Sequence, residues 1–357
     1  LVGNASALHT PGHFAMNAIE DAREEIAKLI NAEPEEILFT SGGSESNNTI
    51  TNIFAGQNVA VSAIEHPSLL ESARLRCNAT IIPVNKYGNV ETLEIEPTFS
   101  LCSIMLANNE LGTINDIKKL AKAAHAKGAL FHTDATQALG KIKIDVKDLD
   151  VDYMTISSHK IGGPVGIGAL YIKKGSPFTP FIIGGHQERG RRAGTYQTVN
   201  IAGFGAAAKY AREHKTWEIY EEKIRPLRDE LAKRILTDIP YSSKNTPDSN
   251  SLPNILNVSF EAAEGESIQL YLDAEGDIIT STGSACASGD GKPSIMATRN
   301  DAEIAHSSVR FSFGLDSTQK DIDHVMKYLP GIVDRLQKIS TLHAGKIKKE
   351  DSYYGKK

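Results

Sequence analysis

Seven short apolar runs, separated by stretches with helical spacing, constrain this chain more than any other feature. The runs are Glu36–Thr40, Asn58–Ile64, Ala79–Val84, Ser100–Ala107, Ala129–Thr133, Val151–Ser157 and Ile167–Ile172. Between them lie segments such as Ile117–Lys127, whose apolar residues recur at helical intervals. Such alternation predicts an α/β domain around a mostly parallel sheet. Ligands of these sheets gather beyond the carboxyl ends of the strands. Residues that follow the runs directly, such as Asp134 and Ser157–Lys160, are therefore the first candidates for a site.

Other stretches complete the expected architecture. Residues 14–30 read as an amphipathic helix, with Met16, Ile19, Ile26, Leu29 and Ile30 near one face. A long helical stretch over about 201–237, broken near Pro226, links a large domain to a smaller C-terminal one. Strands are expected there at Ile255–Phe260, Ile278–Thr280 and Val309–Phe313. The boundaries expected are 10–208 for the large domain and 209–340 for the small one, which takes in the linking helix and residues 1–9. The polar stretch 341–357 reads as a flexible tail.

Bulk properties narrow the class. The 357 residues suffice for these two domains. A formal net charge of −5 gives nucleic acid no general attraction. No apolar run reaches 18 residues, and no basic start with an apolar core opens the chain. Three cysteines, at 77, 102 and 286, are too few and too scattered for a disulfide framework. A cytoplasmic, reducing location is expected, with no metal site and no membrane contact. Residue 1 is Leu, so the chain reads as trimmed or incomplete at its start.

Lys160 and Asp134 form the most telling pair. A lysine and a carboxylate at the ends of neighbouring strands suit pyridoxal phosphate (PLP). The lysine makes the Schiff base, and the carboxylate keeps the pyridine nitrogen protonated so that the ring withdraws electrons. Gln137, three residues past Asp134, is placed to donate to the ring's phenolic oxygen. Ser157 and His159 can donate to a phosphate, and Gly43 and Ser44 fall where a strand turns into a helix, a natural anion site. His66 follows another strand and suits stacking on the ring. Each has a plainer reading too: a solvated loop lysine, an Asp helix cap, an ordinary glycine turn, a structural histidine.

Cys286 differs from the other two cysteines. Cys102 lies in an apolar run and reads as a buried small hydrophobe. Cys286 lies in Ser284-Ala285-Cys286-Ala287-Ser288-Gly289, among small residues and glycines, with no apolar wall. A thiol on such a loop is either incidental or a nucleophile.

Taken in order, these segments resemble the motifs of the cysteine desulfurases. The resemblance rests on Thr40–Ser46, Glu65-His66, Asn108–Thr113, His132–Gln137, Ser157–Lys160, Gly184–Arg189, Arg192–Thr195, Ser284–Cys286 and Ser308–Ser312, and spans about residues 3–340. The Ser-Ala-Cys loop is similar to that of the IscS/NifS branch. The resemblance implies the PLP-dependent transferase fold type I, with a seven-stranded sheet in the large domain and an α/β small domain. It implies roles by position. Lys160 carries the cofactor; Asp134 and Gln137 contact its ring; His66 stacks on it and shuttles protons. Gly43, Ser44, Ser157 and His159 hold the phosphate. Thr195 reaches the phosphate of a second subunit, which makes a homodimer with shared sites. Asn109 contacts the cofactor and, with Arg310, orients the carboxylate of L-cysteine. Cys286 receives the sulfur as a persulfide, L-alanine leaves, and an acceptor such as an IscU-like scaffold takes the sulfur for iron–sulfur assembly or tRNA thiolation.

Two departures stand out. Ser44 replaces the usual threonine of the phosphate turn and keeps the hydroxyl. The chain begins past the Asp-Asn-Ala-Ala-Thr-Thr segment of the family, so an inactive scaffold is one alternative. Selenocysteine lyase and aminotransferase are the others, although an aminotransferase has no need of a loop thiol.

Overall fold

The computed structural model describes residues 3–93, 98–282, 294–299 and 301–340. These divide into two compact units. The first takes in the described residues within Leu1–Pro83, Val90–Ala107 and Asn115–Trp217; the second takes in those within Val84–Asn89, Asn108–Ile114 and Glu218–Lys357.

The first unit is built on a seven-stranded sheet. Its strands are β1 (Ile37–Thr40), β2 (Asn58–Ser62), β3 (Asn78–Ile82), β4 (Leu101–Ser103), β5 (Leu130–Asp134), β6 (Tyr153–Ser157) and β7 (Gly168–Ile172), in the order β1-β7-β6-β5-β4-β2-β3. Every run anticipated from the sequence supplies one strand. The pairs from β6 across to β3 are all parallel, whereas β7 runs antiparallel to both β6 and β1. Two reversals in a row return β1 to the direction of β6. Thr40, Ser62, Asp134 and Ser157 therefore all end strands at the same edge. Apart from the half-buried Leu130 at the start of β5, strands β5, β6 and β7 are buried throughout, as a sheet covered on both faces requires.

Helices α1 (Thr10–Ile30), α2 (Gly43–Ile53), α3 (Pro67–Arg76), α4 (Ile117–His125), α5 (Val146–Leu149) and α6 (Thr198–Glu213) complete this unit. Helix α1 begins four residues before the periodic pattern does. His9 accepts the Gly12 backbone N–H through its ring, and Pro11 sits in the first turn, where no donor is needed. The α1 face carrying Ala15, Ile19, Ala22 and Ile26 is buried against α6. Ile19 and Ile26 are fully enclosed, worth about 2–3 kcal/mol each by transfer from water. Gly205 makes the approach possible, because a Cβ there would stand 2.5 Å from Cα of Ala22.

The expected long helix breaks earlier than Pro226. Helix α6 stops at Glu213, Lys215 takes φ = 44°, and the chain restarts as α7 (Thr216–Ile219). A π-turn, Tyr220–Ile224, leads into α8 (Arg225–Asp238). Pro226 lies in the first turn of α8, where its missing N–H is tolerated, so it opens a helix rather than breaking one.

The second unit carries three antiparallel strands, β8 (Ser242–Lys244), β9 (Ile255–Phe260) and β10 (Ser308–Ser312), in the order β10-β9-β8. Its helices are α8, α9 (Gly265–Gly276), α10 (Ser294–Arg299), α11 (Ala302–His306) and α12 (Gln319–Ile339). Leu231, Val258, Phe260, Leu272, Val309 and Leu329 lie at the centre of its core. The strand expected at Ile278–Thr280 does not form. Ile279 is exposed, and only Ser281 pairs, through a single bridge to Arg310. The polar β8 was not anticipated; one face of it lacks the apolar alternation that announces a strand. Segments 84–89 and 108–114 belong here through space: Ile114 N–H donates to Asn250 O and Leu252 N–H to Gly112 O, both at 2.7 Å, and Thr113 Oγ1 donates to the Tyr87 carbonyl.

Candidate active site

The common edge of the first unit gathers most of the residues singled out from the sequence. Asp134 ends β5 and is buried. Its Oδ1 accepts the Thr136 backbone N–H and its Oδ2 accepts Asn47 Nδ2, both at 2.9 Å. Two donors on one carboxylate fix its orientation. Ser157 ends β6, and Lys160 follows in a tight 3₁₀ turn, Ser158–Ile161, with its side chain reaching the surface. Ser157 Oγ lies 3.0 Å from His159 Nδ1. Gln137 is half-buried in the turn after Asp134.

Gly43 and Ser44 open α2, as a phosphate turn requires. Gly42 before them has φ = 147°, a conformation open to glycine alone at little cost. Beside this turn, Thr136 Oγ1 is buried without a hydrogen-bond partner, 3.3 Å from where a Cβ on Gly43 would stand. His66 caps α3, its Nδ1 accepting the Ser68 backbone N–H at 3.1 Å. Its ring reaches solvent, but the surrounding protein displaces enough water to lower its pKa. Lys160 lowers it further, and Asp134 opposes both.

Sequence reasoning missed the groups behind these residues. His132, buried one strand position before Thr133, lies 2.7 Å from Ser103 Oγ and 3.0 Å from Thr155 Oγ1, and burial holds its pKa well below the usual value. Glu65 is buried beside His66; burial pushes its pKa up to about 8 although Ser62 Oγ and the Met105 N–H both donate to Oε1. Lys141 is also buried, its pKa brought down to about 7 by loss of water and by Lys160. Its Nζ donates to the carbonyls of Gln137 and Lys160, both at 3.1 Å, and so ties the two site-bearing turns together. A lysine four residues past Gln137 offers no sequence signal of this. Asn47 did have one, since it stands one helical turn past Gly43 and shares its face.

Thr195 is exposed on the loop after β7. Arg192, three residues before it, grips Glu45 of α2 through Nε and Nη2 at 2.9 and 3.0 Å. Burial would raise the Glu45 pKa, but Arg192 and the Ser41 N–H bring it below its ordinary value. Glu188 in the same loop is buried, paired with Arg23 at 2.7 and 2.9 Å, and accepts the Phe39 N–H at 3.0 Å. Glu188 and Arg189 both take left-handed backbone, with φ of 50° and 59°. These paired charges hold that uncommon conformation.

Asn109 and Arg310 belong to the second unit. Arg310 lies on β10, and its Nη1 donates to the Asn109 carbonyl at 2.8 Å. Next to Asn109, Asn108 donates to Ser294 Oγ at 3.1 Å, and Glu110 Oε2 accepts the Ser294 N–H at 2.7 Å. Ser281 exchanges backbone hydrogen bonds with Arg310 at 2.7 and 3.2 Å. Cys286 lies outside the described residues. Among the described residues, no cluster of three or more His, Cys, Asp or Glu could hold a metal, and no helix is long and apolar enough to cross a membrane.

Comparison with known proteins places this geometry. The class-V aminotransferase family matches residues 1–325. A protein of Dictyoglomus turgidum described as cysteine desulfurase IscS is 42% identical over 354 residues, covering 95% of this chain and 89% of the relative. One from Clostridium botulinum with the same description is 40% identical over 367 residues, covering 98% and 92%. Among solved structures, a NifS-like protein superposes with a TM-score of 0.84 at 33% identity, covering 94% of this chain and 92% of that one. The NifS-like protein of Rickettsia africae gives 0.83 at 33%, covering 93% and 92%. The chain belongs to the class-V aminotransferase family, in its cysteine desulfurase branch of the IscS/NifS type.

Proposed function

We propose that this protein is a PLP-dependent cysteine desulfurase. One observation carries the reading: a buried carboxylate, Asp134, held by two donors at the end of β5, beside the turn after β6 that bears Lys160. The cofactor's needs fit the residues present. Gly43 and Ser44 offer N–H groups at a helix start, Thr136 Oγ1 is a buried hydroxyl awaiting an acceptor, and Asp134 suits a pyridinium. When bound, PLP supplies an electron sink for the substrate's α-carbon.

The chain's own groups do the rest. Arg310 binds the substrate carboxylate with its planar fork. Lys160 Nζ takes the α-proton and returns a proton to carbon. His66 would stack on the bound cofactor, and Gln137, Ser157 and His159 would hold it in place. The Cys286 thiolate attacks the substrate sulfur. An S–S bond forms, the carbon–sulfur bond breaks, and L-alanine leaves with the protons. The persulfide on Cys286 then passes to an acceptor protein. Thr195, exposed on its pinned loop, suits a phosphate in a second copy of the chain, hence a homodimer, and the cytoplasm suits a free thiol.

Incubation with PLP and L-cysteine, with alanine and protein-bound persulfide measured together, tests this. Equal amounts of both are expected. Cys286→Ser should retain cofactor absorbance and lose the persulfide. Normal sulfur delivery by that variant would overturn the mechanism, and a preference for L-selenocysteine would reassign the substrate.

A further inference from the structure

Asn47 and Ser68 join Asp134 and His66 into one hydrogen-bonded chain. Asn47 is 1% exposed, on the face of α2 that follows the phosphate turn. Its amide nitrogen has two protons and gives them to different partners: one to Asp134 Oδ2 at 2.9 Å, the other to Ser68 Oγ at 3.0 Å. Having accepted a proton, the Ser68 hydroxyl has its own to donate, and His66 Nδ1 lies 2.7 Å away. The same Nδ1 accepts the Ser68 backbone N–H at 3.1 Å. A ring nitrogen that accepts a backbone N–H holds no proton itself.

We propose that this relay, running Asp134, Asn47, Ser68, His66, fixes His66 as the neutral tautomer with its proton on Nε2, and that Asn47 is a positioning residue for both ends. The inference rests on the reading of the PLP cradle given above. It changes what His66 can do. Nε2 already has a proton, so it can donate a hydrogen bond but cannot take a proton. Nδ1 is occupied twice, so accepting a proton there requires breaking the cap of α3. His66 thus serves as a hydrogen-bond donor and stacking ring, while Lys160 remains the base. The charged groups facing His66 are Asp134 from the end of β5 and Lys160 from the turn after β6. Their effects oppose each other, and loss of water adds to that of Lys160.

Nitrogen-15 NMR of the histidine-labelled holoenzyme tests this, with His66→Gln identifying the His66 signals among those of the 11 histidines. The expected wild-type spectrum shows Nε2 protonated and Nδ1 bare at neutral pH. Ser68→Ala and Asn47→Ala keep the backbone N–H on Nδ1 and so the Nε2 proton, but each weakens the hydroxyl's bond and should shift the Nδ1 resonance and move the His66 pKa upward; Ser68→Thr, which keeps the hydroxyl, should restore the wild-type signals. Asn47→Ala should also weaken PLP at least about tenfold, through the donor lost from a charged carboxylate. A protonated Nδ1 in the wild type would overturn the proposal. So would unchanged His66 signals in Ser68→Ala, a surface-cap change that leaves the helix intact by circular dichroism. The tautomer is read without turnover, so an Nε2–H histidine in a protein that makes no alanine would sink the proposed reaction and leave this inference standing.

Discussion

The two halves of the candidate machinery are held in different ways. In the first unit, charged side chains anchor the ties, to side chains and backbone alike: Asp134 holds Asn47 Nδ2 and the Thr136 N–H, Lys141 bridges the carbonyls of Gln137 and Lys160, and Arg192 clamps Glu45. Much of this network is buried, where an unmade hydrogen bond costs about 1–3 kcal/mol. In the second unit, backbone atoms enter almost every tie. Arg310 reaches a carbonyl, Glu110 accepts an N–H, and Ser281 pairs main chain to main chain. The first arrangement suits a rigid cofactor whose every edge is addressed. The second ties Ser281 and Ser294, the described residues nearest the Cys286 segment, to Arg310 and Glu110.

This contrast predicts graded effects. The largest should come from the first unit's carboxylate. Asp134→Asn removes the charge proposed to face the ring nitrogen and leaves one of its two donors without an acceptor; alanine formation should fall about 10²-fold or more, with the melting temperature lowered by only a few degrees. A drop below about fivefold would mean that the cradle does not depend on this carboxylate. Arg310→Lys comes next. Lysine cannot present two parallel donors, so KM for L-cysteine should rise roughly tenfold with kcat nearly preserved. A loss confined to kcat would place Arg310 at the chemistry instead of at the carboxylate.

The smallest effects are in stability against pH. Lys141 has a folded pKa brought down to about 7 from 10.5. Above pH 7 the unfolded chain binds this proton more than the folded one does, so stability should climb between about pH 7 and 10, by a few kcal/mol at most. Urea denaturation across that range should show the climb, and Lys141→Met should flatten it. Glu65 acts with the opposite sign. Its folded pKa is raised to about 8, so its contribution is complete below the ordinary carboxylate range and is lost as pH rises through 8. Glu65→Gln should remove that loss. Identical curves for wild type and both variants would show that these buried groups do not stiffen the cradle.

The sequence made the sheet legible because a strand signals itself locally, through a short apolar run. It also made the residues at the strand ends legible, because strand direction sends Asp134, His66 and Ser157–Lys160 to one edge. It misjudged Pro226, whose effect depends on where a helix begins, and Ile278–Thr280, an apolar stretch in which only Ser281 beyond it finds a partner. The sequence by itself therefore determined the fold class, the order of the motifs and the chemistry they could share. Tertiary structure alone decided the rest: that Asn47 divides its two protons between Asp134 and Ser68, that Lys141 is buried behind Lys160, and that segments 84–89 and 108–114 join the second unit. The physical reason is distance along the chain. Hydrogen bonds such as Asn47 to Asp134, 87 residues apart, and Arg23 to Glu188, 165 apart, exist only once the sheet has brought their elements together, and no local pattern announces them.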